Sequence, residues 1–312
     1  MAYAYPSPPA ARAFVVCGRV ILGGVAAMAA QALLVAPAAL VASAAFGDES
    51  QGQMRLRQAC DALERHESVF AKMHLEIDLF DQQLIGHGVY RQGPPETDWM
   101  SLDLQLQMGN QQSVVQQRCD GDSFWRCDSV DNIRVGLSRV DMARLRNARD
   151  DGRASTGAVP QLGLGGLPRL LNSLDQAFEF SKETSQVRGE QRVYALRGQW
   201  RAEWLAKWVP EQKAAIAAGK PVDLGKLPAP LPDHVVVRLG VDDLFPYRIE
   251  YGREDPKAPT RPHTLVAMEF EGVVFDGPVE RGEFVFEPGS TPVVDETDLY
   301  LLRLGSSAKP AR

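Results

Sequence analysis

Apolar and polar residues alternate through the first half of the chain. Met73, Leu75, Ile77 and Leu79 interleave with Lys72, His74, Glu76 and Asp78, a period of two that gives a strand one dry face and one wet face. Gln83–Gln92 reads as the next strand, with Gly86 and Gly88 suited to strong curvature or to close approach of another backbone. Leu102, Leu104, Leu106 and Met108 then alternate with Ser101, Asp103, Gln105 and Gln107. Asp120-Gly121 lies between Val114–Cys119 and Ser123–Cys127 as a hairpin turn would. Four antiparallel strands in meander order build a curved sheet. Its aliphatic face has to be covered by another sheet, by helices or by a ligand. Helices acting as a lid over an acyl chain or lipid are the expectation.

Helical periodicity occurs in four places. Residues 51–70 carry Leu56, Ala59, Cys60, Leu63 and Phe70 in an approximate stripe. Arg139–Asp150 is short, charged and helical in character, and Asp151–Val159 is a polar loop. Gly163, Gly165 and Gly166 read as a hinge into an apolar helix at Leu167–Leu174; they lack both the Lys-Ser/Thr of a P-loop and the dinucleotide-binding glycine spacing. Trp200, Trp204 and Trp208 recur every four residues, which predicts one helix carrying a Trp stripe over 200–218. Such a stripe serves core packing, or a lid or membrane-facing helix. Further strands are expected at Gln191–Arg197, His234–Leu239, Pro246–Arg253, Thr264–Phe275 and Glu283–Glu287, with a last short helix at Asp295–Leu304. The count is ten or eleven strands, mostly antiparallel, in an α+β fold. No period repeats, which excludes a solenoid or propeller.

The first 47 residues have another character. Only Arg12 and Arg19 are charged there, Val20–Val41 is almost unbroken apolar sequence, and Ala42-Ser43-Ala44 precedes Asp48-Glu49-Ser50. That is the pattern of a cleaved signal peptide, or of a retained N-terminal anchor with residues after 48 outside the cytoplasm. Cys17 precedes the apolar run instead of following it, so it does not form a lipobox. The expected organisation is residues 1–47 as signal or anchor and 48–312 as one exported domain, periplasmic or in the cell envelope, with helical inserts near 139–173 and 201–232. The formal net charge is −6, and no Lys/Arg block is present, which argues against nucleic acid or an anionic lipid surface as an electrostatic partner. Cys60, Cys119 and Cys127 remain after the leader, enough for one internal disulfide at most. Cys119 and Cys127 could meet only across a wide hairpin loop; a tight Asp-Gly turn would set Cys119 opposite Asp122.

Catalytic constellations are missing. His66, His74, His87, His234 and His263 share no metal-binding spacing, and no G-x-S-x-G occurs. Asp242-Asp243 and Glu296/Asp298 are carboxylates that turn and cap duty explains. No catalytic residues, metal ligands or cofactor are expected.

Three stretches carry a likeness: Asp120-Gly121 followed by Trp125 on a hairpin, Leu239–Tyr251 (LGVDDLFPYRIEY), and Phe284–Asp295 (FVFEPGSTPVVD). In these the chain resembles the LolA-like family of exported carriers and related anti-sigma regulators, over most of residues 53–304. The resemblance implies an incomplete, half-open curved β-barrel covered by helices, with acyl chains entering between sheet and lid. The residues expected to line that space are Leu75, Ile77, Leu102, Leu104, Leu106, Val235, Val237 and Ile249, with Leu167, Leu170, Trp204 and Trp208 in the lid. The partner would be a lipid or acylated protein, the carrier a monomer. The alternative is a membrane-anchored interaction or sensor module on the same fold, whose partner is an envelope membrane protein.

Overall fold

Ser50 opens the described chain by accepting the backbone N–H of Gln53 with its hydroxyl, which satisfies one of the free donors at a helix start. The helix it caps, α1, spans Gln51–Leu63. The computed structural model describes residues 50–79, 82–150, 165–181, 183–188, 191–220, 222–228, 231–254 and 263–303. Residues 1–49, expected as a signal peptide or anchor up to 47, the Asp151–Val159 loop and Gly163 lie outside the described residues. The helix ends at Leu63 and strand β1 begins at Val69, so the helical reading of residues 51–70 overran by about two turns. Phe70 belongs to the alternation of β1.

The strands in chain order are β1 (Val69–Leu79), β2 (Gln82–Gln92), β3 (Met100–Met108), β4 (Gln111–Cys119), β5 (Ser123–Val130), β6 (Ile133–Asp141), β7 (Phe178–Phe180), β8 (Thr184–Arg188), β9 (Gln191–Trp200), β10 (His234–Gly240), β11 (Pro246–Arg253), β12 (His263–Phe275) and β13 (Val294–Asp295). They form one sheet in the order β13-β6-β5-β4-β3-β2-β1-β12-β11-β10-β9-β7, with β8 also on β9. Every pairing is antiparallel except β13 on β6. The ends of the sheet do not pair, so it is an open α+β sheet and not a closed barrel.

Among the described residues there are thirteen strands, where ten or eleven were expected. The β6 strand was not among the expected elements, although Ile133, Val135 and Leu137 alternate with Arg134, Gly136 and Ser138; its first three residues are exposed, and burial begins only at Leu137. The charged helix starts after it, as α2 (Met142–Asp150). Strands β7, β8 and β13 are short, or polar edge segments; Val187 of β8 is 74% exposed. In the other direction, Glu283–Glu287 is not a strand. It begins as a 3-10 turn over Arg281–Phe284, held by a reciprocal cap between Glu280 and Glu283. Its alternating aromatics strap the chain onto the sheet, Phe284 stacking on Trp99 at 5.4 Å and Phe286 on Trp125 at 5.6 Å.

The remaining helices are α3 (Gly166–Ala177), α4 (Ala202–Trp208), α5 (Lys213–Ala217) and α6 (Thr297–Arg303). Trp200 therefore is not part of a helical stripe: it ends β9, and the helix starts two residues later. The three indoles still gather, Trp200 lying 6.4 Å from both Trp204 and Trp208 and 4.1 Å from Phe178. The turn at Asp120-Gly121 sets Cys119 opposite Phe124, not Asp122, and puts Cys127 opposite Gln116. The two cysteines point to opposite faces, since side chains alternate along a strand, and Cys60, Cys119 and Cys127 are all free thiols.

An apolar sheet face sealed by two helices

The register carries the alternation across the sheet. Leu106 lies opposite Ser113 on β4 and Gly86 on β2, Gly86 opposite Leu75, and Leu75 opposite Met268. Met268 then faces Ile249, Ile249 faces Val237, and Val237 faces Leu196 on β9. One row of side chains thus crosses from β4 to β9 on a single face. Gly86 and Gly88 make this possible: a Cβ on Gly88 would stand 2.3 Å from the Asp103 carbonyl oxygen, and one on Gly86 2.8 Å from Leu106 Cδ2. With hydrogens there, Leu104 and Leu106 lie over the β2 backbone.

The eight expected liners (Leu75, Ile77, Leu102, Leu104, Leu106, Val235, Val237 and Ile249) share this face, and none is more than 2% exposed. Helices α1 and α3 close it. Leu56, Ala59 and Leu63 from α1 join Leu167, Leu170, Leu171 and Leu174 from α3 in one core with the sheet residues. Of the expected lid residues, Leu167, Leu170 and Trp204 belong to that core. Trp208 packs elsewhere, on a small cluster of Val209, Leu227 and Leu231 between β9 and β10.

Polar contacts hold the cover at its ends. The Leu167 backbone N–H donates to Tyr90 Oη at 2.9 Å, and Tyr90 donates to Gln92 Oε1 at 2.7 Å. Burial pushes the Tyr90 phenol pKa upward, so it remains a donor. Its closeness requires glycine at 166, where φ is +68° and a Cβ would meet Tyr90 Oη at 2.3 Å. Cys60 Sγ donates to the Pro168 carbonyl at 3.4 Å, joining the two helices. At the far end Asp175 receives Gln53 Nε2 and Arg57 Nε, the latter 3.1 Å from both carboxylate oxygens, while Arg201 Nη2 donates to its carbonyl at 3.0 Å.

Beyond Leu102 the same face turns polar. Gln117 lies opposite Leu102 and Arg126, and Arg126 opposite Ser138. Gln117 is 1%, Arg126 6% and Asp128 7% exposed. Arg126 Nε donates to Asp128 at 3.1 Å, yet Arg126 Nη2 and Gln117 Oε1 are buried without a partner. The sequence reading passed over this margin. The signal was present, because Gln117 follows Val115 by two residues and so shares its face.

Among the described residues no helix is long and apolar enough to cross a membrane, and no group of three or more His, Cys, Asp and Glu side chains converges as a metal site. No protein family and no curated protein matches the chain. Solved structures similar to it include lipoprotein LppX of Mycobacterium tuberculosis, 11% identical, with 73% of this chain and 97% of that one covered at a TM-score of 0.36. The MucA/MucB complex of Pseudomonas aeruginosa is 10% identical over 76% of this chain and 62% of that one, TM-score 0.36. A LolA superfamily protein from Nitrosomonas europaea, of the kind the sequence resembles, is 10% identical over 75% and 97%, TM-score 0.22.

Proposed function

We propose that the protein is an exported carrier that holds an acyl chain between the apolar sheet face and the cover formed by α1 and α3. The observation that carries this reading is the apolar row from Leu106 on β3 to Leu196 on β9, covered by helices whose ends are latched by hydrogen bonds and ion pairs. Each methylene moved from water into such a groove gains about 0.8 kcal/mol, so a chain of about 14 gains roughly 11 kcal/mol. Opening exposes the helices' own leucines, which offsets part of that gain and permits release. The unpartnered Arg126 Nη2 and Gln117 Oε1 stand at the margin of the face, where the polar head of an amphiphile would meet them.

The test is mass spectrometry of the protein purified without detergent, under native conditions and after organic extraction. A stoichiometric lipid or acylated peptide is expected. A ligand-free protein that also ignores an added fluorescent fatty acid would overturn the carrier reading, and the envelope interaction module would replace it. Asp175→Ala, which unlatches one end of the cover, should speed uptake of the same probe.

A further inference from the structure

The face of the sheet opposite the cover is wet, and it holds a concavity of about 680 Å³ lined by residues that include Lys72, His74, His87, Asp103, Gln105 and Arg118. His74 and His87 are directly paired across the β1–β2 ladder. Their Nδ1 atoms are 3.2 Å apart and their ring centroids 4.7 Å. His74 Nε2 lies 3.2 Å from Glu76 Oε1.

We propose that His74 and His87 form a two-histidine site for a late divalent transition metal, Cu²⁺ above all, with its open positions facing this concavity. Imidazole nitrogens bind such metals at about 2.0–2.1 Å, which puts two of them on neighbouring coordination positions about 2.9 Å apart at a right angle and about 3.4 Å apart at a tetrahedral one. The observed 3.2 Å falls between these values, so the two nitrogens already have the spacing a shared ion needs. In the tautomer with the proton on His74 Nε2, the Glu76 carboxylate accepts it, which leaves the Nδ1 lone pair free to ligate and fixes the ring, as carboxylates behind metal-bound histidines do. Without metal, His87 donates its Nδ1 proton to His74; with metal, His87 changes to its Nε2–H tautomer, and no net proton has to leave. Arg118 is paired with Asp103 at 2.7 Å, and the Glu76 carboxylate lies beside the His74 ring. Of the late metals Cu²⁺ binds nitrogen sites most tightly, with Ni²⁺ and Zn²⁺ behind it. Two protein ligands leave room for water, or for a donor group of a molecule lying in the concavity.

Titration of the full chain with Cu²⁺, followed by electron paramagnetic resonance and by calorimetry, tests the site. One Cu²⁺ per chain with coupling to two imidazole nitrogens is expected. His74→Ala and His87→Ala should each weaken binding by at least tenfold, and Glu76→Gln by about tenfold through loss of its hold on the ring. All three side chains lie at the surface, and far-ultraviolet circular dichroism checks that the variants fold. A wild-type chain that takes up no stoichiometric Cu²⁺ would overturn the proposal. So would an unchanged two-imidazole signal in the His74→Ala/His87→Ala double variant.

Discussion

The backbone N–H of Leu167 in α3 donates to the phenol of Tyr90, which rises from the apolar face of β2. At this end the cover is therefore latched to the surface it seals by a neutral hydrogen bond of 2.9 Å, with Gln92 taking the phenol's own proton. Leu167 belongs to the first turn of the helix, where backbone donors have no partner within the helix. Tyr90 supplies that partner from the sheet side.

Removing this latch is the first prediction. Tyr90→Phe leaves the Leu167 N–H and the Gln92 side chain buried without a partner, and should cost about 1–3 kcal/mol of stability. Urea unfolding measures that loss. In a carrier the same variant should also take up a fluorescent fatty acid faster than wild type.

Gly88 should tolerate no side chain. Its Cβ would lie 2.3 Å from a backbone oxygen, that of Asp103, which cannot swing aside as a side chain can. Gly88→Ala should therefore force β2 and β3 apart and destabilise by about 1–3 kcal/mol. Gly109, with nothing within 4 Å of its would-be Cβ, is not the neutral control, because its φ of +57° resists a side chain for another reason. Gly282, at ordinary φ and in open space, is; Gly282→Ala should change the unfolding midpoint little.

Acid should weaken the wet face of β10 and β11. Burial alone would raise the Glu250 carboxyl, but the guanidiniums of Arg238 and Arg248 outweigh it and hold it below the usual carboxylate range. A carboxylate depressed in the folded state contributes stability above its unfolded pKa of about 4.3 and loses it as pH falls through the folded value. The urea midpoint should thus hold between pH 7 and pH 5 and drop below about pH 4. Glu250→Gln should be less stable than wild type at pH 7, by about 2 kcal/mol, and show a shallower acid decline.

The buried thiols should be inert. Burial pushes Cys60 and Cys119 up to about 12, so neither forms appreciable thiolate at pH 8. A disulfide reagent at pH 8 should leave both unmodified in the folded protein and label both after denaturation. Mass analysis of the unreduced protein should find no bond between Cys119 and Cys127, which point to opposite faces of the sheet.

Much of this was legible in residue order because it depends on period. The alternation of Leu102, Leu104 and Leu106 places them on one face whatever that face packs against, and Leu75 and Ile77 follow by the same rule. The stripe of α1 and the run Leu167–Leu174 mark the helices, since three to four residues per turn bring their leucines together. Errors fell where local pattern and tertiary role part. The spacing of Trp200, Trp204 and Trp208 imitates a helix although the first is on a strand, because a strand end and the helix after it can aim indoles at one place. Phe284 and Phe286 alternate like a strand, but they are spaced to reach Trp99 and Trp125.

Register was the property that residue order alone left open. Scattered along the chain, His74 and His87 share no metal spacing, and only the β1–β2 pairing brings their nitrogens to 3.2 Å. In the same way Gln117 and Arg126 meet because β4 and β5 pair as they do. Sequence determined which faces are dry, since burial follows the local period. Tertiary structure decided which polar groups meet across strands, because one residue of slip in a ladder sends every side chain to the other face.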